Sequence, residues 1–258
     1  NESTISFAEG GVTVGTSTGA ANLLANELAG DKEGADQSLK ITKIAYTDES
    51  GAPAMADVPQ GGSVVVDTRY GSLTVHSDGA WSYTSDQTEN NASGAPDSFT
   101  YTMEDGDGSS STATQPLAVT DTSPVPGTVS LSLPEANIPV TGSTAQPTNT
   151  TETNLGITKG ADNIADVTFG TATITGLQEQ NLKSGGTALT YQVSLDGHTL
   201  TASAGTAPIF TLTLENATDA TGTNQKVVMS LVGNLDHASA GGSNSLTIPV
   251  SYTISDTD

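Results

Sequence analysis

The chain has 258 residues, with 29 acidic and 7 basic side chains and a formal net charge of −22. Nucleic acids and anionic membranes are bound through Lys and Arg, so this balance argues against both as partners. There is no cysteine, which excludes disulfides. The sequence has no run of about 18 apolar residues, so direct membrane insertion is not predicted.

The first half of the sequence has the alternation of apolar and polar residues that is typical of half-buried strands. The clearest feature is a hairpin over residues 70–83, in which Asp78-Gly79 supplies the turn. Trp81 and Tyr83 then share one face. One short helix is predicted over residues 20–28. The other strand-like segments are residues 4–7, 39–44, 72–75 and 98–103.

A domain boundary is predicted in the segment 121–127, where two prolines favour an extended linker. The second half again has mainly strand-like patterns, and Asp196-Gly197 predicts another hairpin turn. Residues 141–154 are polar and predict a long surface loop. The strand-like segments are residues 130–133, 165–174, 189–195, 199–202, 209–214, 227–231 and 246–254.

These patterns predict an all-β protein of two tandem Greek-key β-sandwiches. The predicted divisions are residues 1–122 for the first sandwich, 123–127 for a linker and 128–258 for the second sandwich. The absence of a start methionine and the abrupt end of the sequence favour a fragment of a longer chain.

The acidic residues predict bound cations, because Ca²⁺ takes six to eight oxygen ligands and relieves the repulsion of a strongly negative chain. Glu104, Asp105 and Asp107 lie within four residues, and the intervening glycine lets the loop curl around an ion. The alternative is an ordinary polar hairpin turn, because Asp-Gly is common in turns.

A second calcium site is predicted at the domain junction, where it would fix two sandwiches at a constant angle. Asp121 lies where the first sandwich ends, with Glu2, Glu9 and Asp36 as its possible partners, and Asp256 and Asp258 lie at the equivalent exit of the second sandwich. The alternative is that these carboxylates are solvated linker residues.

Catalysis is not expected from the motifs of this sequence. His76 alternates with core residues and is predicted on a solvent face, His198 follows a turn, and His237 follows Asp236 in a loop. No nucleophile elbow, zinc-protease helix or phosphate loop is present.

The first half resembles the cadherin-like, VCBS-type repeat of very large bacterial surface proteins. The resemblance extends over most of residues 1–122. The matching phrases are Asn22-Leu23-Leu24-Ala25-Asn26, Tyr70-Gly71-Ser72-Leu73-Thr74-Val75, Trp81-Ser82-Tyr83 after the Asp78-Gly79 turn, and Asp97-Ser98-Phe99-Thr100-Tyr101-Thr102 leading to Asp105-Gly106-Asp107-Gly108.

The second half, residues 126–258, resembles the repeat domain of giant adhesins exported by type I secretion (RTX-type adhesins). The matching phrases are Gly160-Ala161-Asp162, Leu182-Lys183-Ser184-Gly185-Gly186, Tyr191 followed by Leu195-Asp196-Gly197, Phe210-Thr211-Leu212-Thr213-Leu214, Leu231-Val232-Gly233-Asn234-Leu235-Asp236-His237 and Ser255-Asp256-Thr257-Asp258.

Together the resemblances imply a calcium-stabilised, extracellular module on the surface of a Gram-negative bacterium. The module would act as a spacer that projects ligand-binding domains for adhesion and biofilm formation. Its partners would be the neighbouring domains of the same chain, and other domains would contact host or substrate surfaces. The alternative is that one of these two domains itself binds a sugar, a peptide or a partner chain.

Overall fold

The computed structural model describes residues 2–25, 38–87, 95–134, 150–236 and 245–257. The chain divides into two compact units, residues 1–122 and 123–257. The predictions for Asp36, Asp258, His237 and the segment 141–149 lie outside the described residues. No helix in the described segments is long and apolar enough to cross a membrane.

The first unit is a sandwich of two sheets. One sheet has five strands in the order β1-β9-β8-β3-β4, and the other has four in the order β2-β7-β6-β5. A short 3-10 turn follows β2 at Thr16–Thr18. The strands are β1 (Ile5–Ala8), β2 (Thr13–Gly15), β3 (Lys40–Thr47), β4 (Pro53–Asp57), β5 (Ser63–Thr68), β6 (Gly71–His76), β7 (Trp81–Ser85), β8 (Ala95–Glu104) and β9 (Ser110–Thr120).

The β6–β7 hairpin confirms the alternation that the sequence predicts. Leu73 pairs with Tyr83 and Val75 pairs with Trp81, and all four side chains are buried. Gly79 has φ 84°, a conformation that glycine adopts without steric cost. His76 is exposed, as predicted for the opposite face of the strand.

The predicted helix over 20–28 is wrong for its described part, residues 20–25. The Asn22 side chain explains why: its Oδ1 accepts a hydrogen bond from Leu24 N at 2.9 Å, and its Nδ2 donates to Asp78 O at 3.1 Å. Asn side chains compete with helical backbone bonding in this way. Leu23 and Leu24 are consequently held against the core by a turn.

The second unit also consists mainly of strands. A six-stranded sheet has the order β11-β17-β16-β15-β14-β13, and two-stranded sheets are formed by β10 with β18 and by β12 with β19. One helix, α1, spans Thr171–Glu179. The strands are β10 (Val129–Pro134), β11 (Thr150–Asn154), β12 (Ile164–Thr168), β13 (Lys183–Ser184), β14 (Thr187–Val193), β15 (Thr199–Ala204), β16 (Ala207–Glu215), β17 (Lys226–Leu231), β18 (Ser245–Val250) and β19 (Thr253–Asp256).

The strand predicted over 165–174 is only half correct, because β12 ends at Thr168 and α1 begins at Thr171. The β-branched residues of this segment favour a strand by propensity, but tertiary contacts decide the outcome. Thr173 Oγ1 accepts a hydrogen bond from Gly170 N at 3.2 Å and donates to Ser251 O at 2.7 Å. Leu177 is fully buried, so the helix is anchored on the core.

Three further boundaries differ from the predictions. The segment 123–127, predicted as a linker, is bonded into the second unit: Val125 exchanges backbone hydrogen bonds with Thr158, and Gly127 N donates to Tyr252 Oη. Val125 lies between two prolines but keeps its own N–H, which permits the pairing. Residues 150–154 of the predicted loop form β11, and the strand predicted over 246–254 is interrupted before Thr253.

Candidate functional site

Glu9 lies where the chain of the first unit crosses from one sheet to the other. β1 belongs to the five-stranded sheet, and β2 begins the other sheet only five residues later. Gly10 and Gly11 make this short crossover possible with φ angles of 89° and 76°. Their backbone N–H groups both donate to Asp86 O, which fixes the crossover directly after Glu9.

β1 pairs with β9 in parallel, in a register that continues towards Glu9 and Asp121. Ala8 is opposite Thr120, so Glu9 and Asp121 are the next residues on the two strands. Glu9 N donates to Thr120 O at 3.1 Å. Glu9 Oε1 accepts two hydrogen bonds from Thr122, from N at 2.9 Å and from Oγ1 at 3.2 Å.

The second carboxylate oxygen of Glu9 is the unusual feature of this site. Glu9 is 2 % exposed, and its Oε2 is buried without a hydrogen-bond partner among the described residues. A buried carboxylate is strongly disfavoured unless its oxygens are paired with donors or with a cation.

Carboxylate oxygens of Glu9 and Asp121 lie within 4.8 Å of each other. Two negative charges at that separation repel by roughly 3.5 kcal/mol at an effective dielectric constant of 20. Hard divalent cations prefer carboxylate oxygens, and one such ion would reverse this repulsion. The donor atoms of Glu9 and Asp121 therefore fit a calcium ion, and the two residues are among those that the sequence predicted as partners.

The other predicted junction ligand that is described, Glu2, lies elsewhere. It precedes β1, whereas Glu9 follows β1, and its Oε1 is 3.5 Å from Tyr101 Oη. Asp256 ends β19 of the second unit, where it pairs with Ile164.

The Asp105–Asp107 loop is the turn between β8 and β9, at the opposite end of β9 from Asp121. An eleven-residue strand separates the two places by roughly 35 Å. Asp105 Oδ1 accepts from Ser109 N at 2.9 Å, and Asp107 Oδ1 accepts from Ser109 Oγ at 2.8 Å. Glu104 forms an ion pair of 3.1 Å with Lys40. These bonds are compatible with a polar hairpin turn, and calcium binding by this loop stays a prediction.

His198 in the second unit is held by carboxylates. Its Nε2 is 2.8 Å from Asp166 Oδ1, and its Nδ1 is 4.0 Å from Asp196 Oδ2. Ser194 Oγ donates to Asp196 Oδ1 and not to the imidazole. The cluster joins the β14–β15 turn to β12.

Two features of the structure were missed from the sequence. Thr122 supplies both hydrogen bonds to Glu9, and nothing local to residue 122 indicates this. The second is the burial of Asp162 in the second unit, where this residue is only 4 % exposed. The Gly160-Ala161-Asp162 phrase could have drawn attention to this residue.

A comparison with known families supports the all-β sandwich fold of the first unit. A family profile described as a bacterial Ig domain matches residues 3–118. The match supports an Ig- or cadherin-like repeat of the type found in surface proteins, on an all-β fold that is typical of structural domains. No curated protein matches the chain.

Proposed function

We propose that this chain is a non-enzymatic, calcium-stabilised spacer of a long bacterial surface adhesin. The observation that carries the proposal is the buried Glu9 carboxylate, which lies beside Asp121 in a domain that matches the bacterial Ig family. When bound, calcium would supply a positive charge to Glu9 Oε2, which has no hydrogen-bond partner among the described residues.

The charge and composition of the chain support a stabilising cation. With a net charge of −22 and no cysteine, the folded state has strong self-repulsion and no covalent cross-link. A ligand that binds only the folded state stabilises it by RT ln(1 + [L]/Kd). Extracellular calcium modules bind with Kd of about 10⁻⁴–10⁻³ M, so 10 mM calcium would contribute about 1.4–2.7 kcal/mol.

The adhesin context rests on the family match and on the two sequence resemblances. A spacer needs stiffness outside the cell and has no need of a catalytic cleft. Millimolar calcium outside the cell would largely fill a site at the tighter end of this range, while the low calcium of a cytoplasm would not, so the chain would become stiff only after export.

The test is calorimetric melting of the full chain in EDTA and in 10 mM CaCl₂ at matched ionic strength, because any salt screens a charge of −22. We expect calcium to raise the first unit's transition on the order of 5–10 °C. Glu9→Gln should abolish the rise. Glu49→Gln removes the same charge from an exposed position of the same unit, and it should preserve the rise.

Equal melting temperatures of the wild type in the two buffers would refute the calcium part of the proposal. A rise that survives Glu9→Gln would place the ion at another site.

A further inference from the structure

β1 is weakly attached to the first unit by comparison with the other strands of its sheet. It has four residues, and among the described strands of its sheet it pairs only with β9. Phe7 is its buried apolar anchor, and Ile5 is only partly buried. A short edge strand of this kind is expected to open locally at a lower free energy than the rest of the domain.

The Glu9 site lies at the end of β1 where the chain leaves the sheet. Two of the bonds at this end join it to the last residues of β9 and those just beyond: Thr120 Oγ1 donates to Phe7 O at 3.2 Å, and Thr122 donates to Glu9 Oε1. Ser85 Oγ of β7 also donates to Ala8 O, at 3.1 Å. Separation of β1 from β9 would therefore also separate the carboxylate of Glu9 from that of Asp121.

Without a cation, the same two carboxylates repel each other across the β1–β9 pair. The pairing places them side by side at the end of a parallel ladder, and one of them is almost completely buried. The strand is thus hydrogen-bonded along its length, while the two carboxylates at its end repel each other.

We propose that a divalent cation bound by Glu9 and Asp121 acts as a latch that docks β1 onto β9. This inference rests on the proposed calcium site and adds that the site controls the docking of β1. In calcium the N-terminal strand is closed on the sheet. In its absence β1 opens while the remaining strands stay folded.

The experiment is hydrogen exchange of the full chain, followed by mass spectrometry over a calcium titration. An opening that breaks the site is suppressed by the factor 1 + [L]/Kd, so exchange of the amides of residues 5–9 should slow about 100-fold at a hundredfold excess of calcium over Kd. β4 is the matched control, because it is the opposite edge strand of the same sheet and pairs only with β3. Its local exchange should not change.

Each outcome separates the latch from the proposed function. Calcium that binds and raises the melting temperature, but leaves residues 5–9 unprotected or protects β1 and β4 equally, overturns the latch and leaves the proposed function in place. Calcium that neither binds nor changes the melting temperature overturns the proposed function. Glu9→Gln should leave β1 exchange independent of calcium, and if this variant does not fold, the wild-type titration still decides.

Discussion

A sensitive test of the packing of the first unit is the substitution Tyr83→Phe, which removes one buried hydroxyl. Tyr83 is fully buried, and its hydroxyl is 2.7 Å from Thr68 Oγ1 and 2.9 Å from Asp97 Oδ2. The substitution keeps the ring, whose centroid lies 5.5 Å from that of Phe7. Only the hydrogen bonds are lost.

The expected loss of stability depends on the hydrogen bonds that Thr68 and Asp97 keep after the substitution. Thr68 Oγ1 still has Gly71 O at 2.9 Å and Asp97 Oδ2 at 3.1 Å, so it is not left unpaired. The Asp97 carboxylate loses the hydrogen bond from Tyr83, and a hydrogen bond to a charged group typically contributes about 1.5–3 kcal/mol. Because Asp97 is half-buried, water replaces part of this loss. We expect destabilisation of about 1.5–2 kcal/mol.

Calorimetry that resolves the transitions of the two units should show a lower melting temperature for the first unit only, by an amount on the order of 5–10 °C. Tyr46→Phe is the matched control, because Tyr46 lies in the same unit and its hydroxyl has no hydrogen-bond partner among the described residues. Equal effects of the two substitutions would refute the assigned role of the Tyr83 hydroxyl.

The same tyrosine gives an alkaline prediction. Burial raises the pKa of Tyr83 well above its usual value of 10. Above about pH 10 the unfolded state releases this proton while the folded state retains it, so stability is complete below that pH and falls as pH rises. Urea unfolding between pH 9 and 11.5 should show a steeper decline for wild type than for Tyr83→Phe, and parallel declines would contradict the reasoning.

The remaining predictions concern three carboxylates of the second unit. Asp236 accepts hydrogen bonds from Gly185 N at 2.8 Å and Gly186 N at 2.7 Å, so Asp236→Ala should destabilise that unit by about 1 kcal/mol in calorimetry, and an unchanged transition would refute the role of this clamp. Hydrogen bonds from hydroxyl groups two residues away lower the pKa of Asp196 and Asp219 below 3.8. Their contribution is present above that pH and is lost as pH falls below it, so urea unfolding from pH 5 to 2 should show declining stability, and a flat profile would contradict this.

Local patterns made much of the first unit predictable. The 70–83 hairpin follows from period-two alternation and one Asp-Gly turn, both of which are encoded within a few residues. The predicted helix at residue 20 and the missed helix at Thr171 have a common cause. In both places side-chain bonds from Asn22 and Thr173 to distant backbone atoms decide the structure, and a local pattern does not contain them.

The site was predictable only in part for the same reason. Glu9 and Asp121 are acidic residues near predicted strand ends of the same sandwich, and this was sufficient to propose that they meet. The parallel register of β1 with β9 joins residues more than a hundred positions apart, and this register alone brings Thr122 to Glu9. The calcium prediction for Asp105 and Asp107 relied on composition, which does not distinguish a calcium loop from a polar turn, and it stays a prediction.

The central claim is that a calcium ion balances the buried Glu9 carboxylate beside Asp121. The most direct test is anomalous scattering from crystals of the full chain grown in millimolar CaCl₂. We predict an anomalous peak at about 2.3–2.6 Å from Glu9 Oε2, with a carboxylate oxygen of Asp121 also within coordination distance. A hydrogen bond in place of the ion, either from a water or from a proton shared between the two carboxyl groups, with no anomalous peak, would contradict the claim.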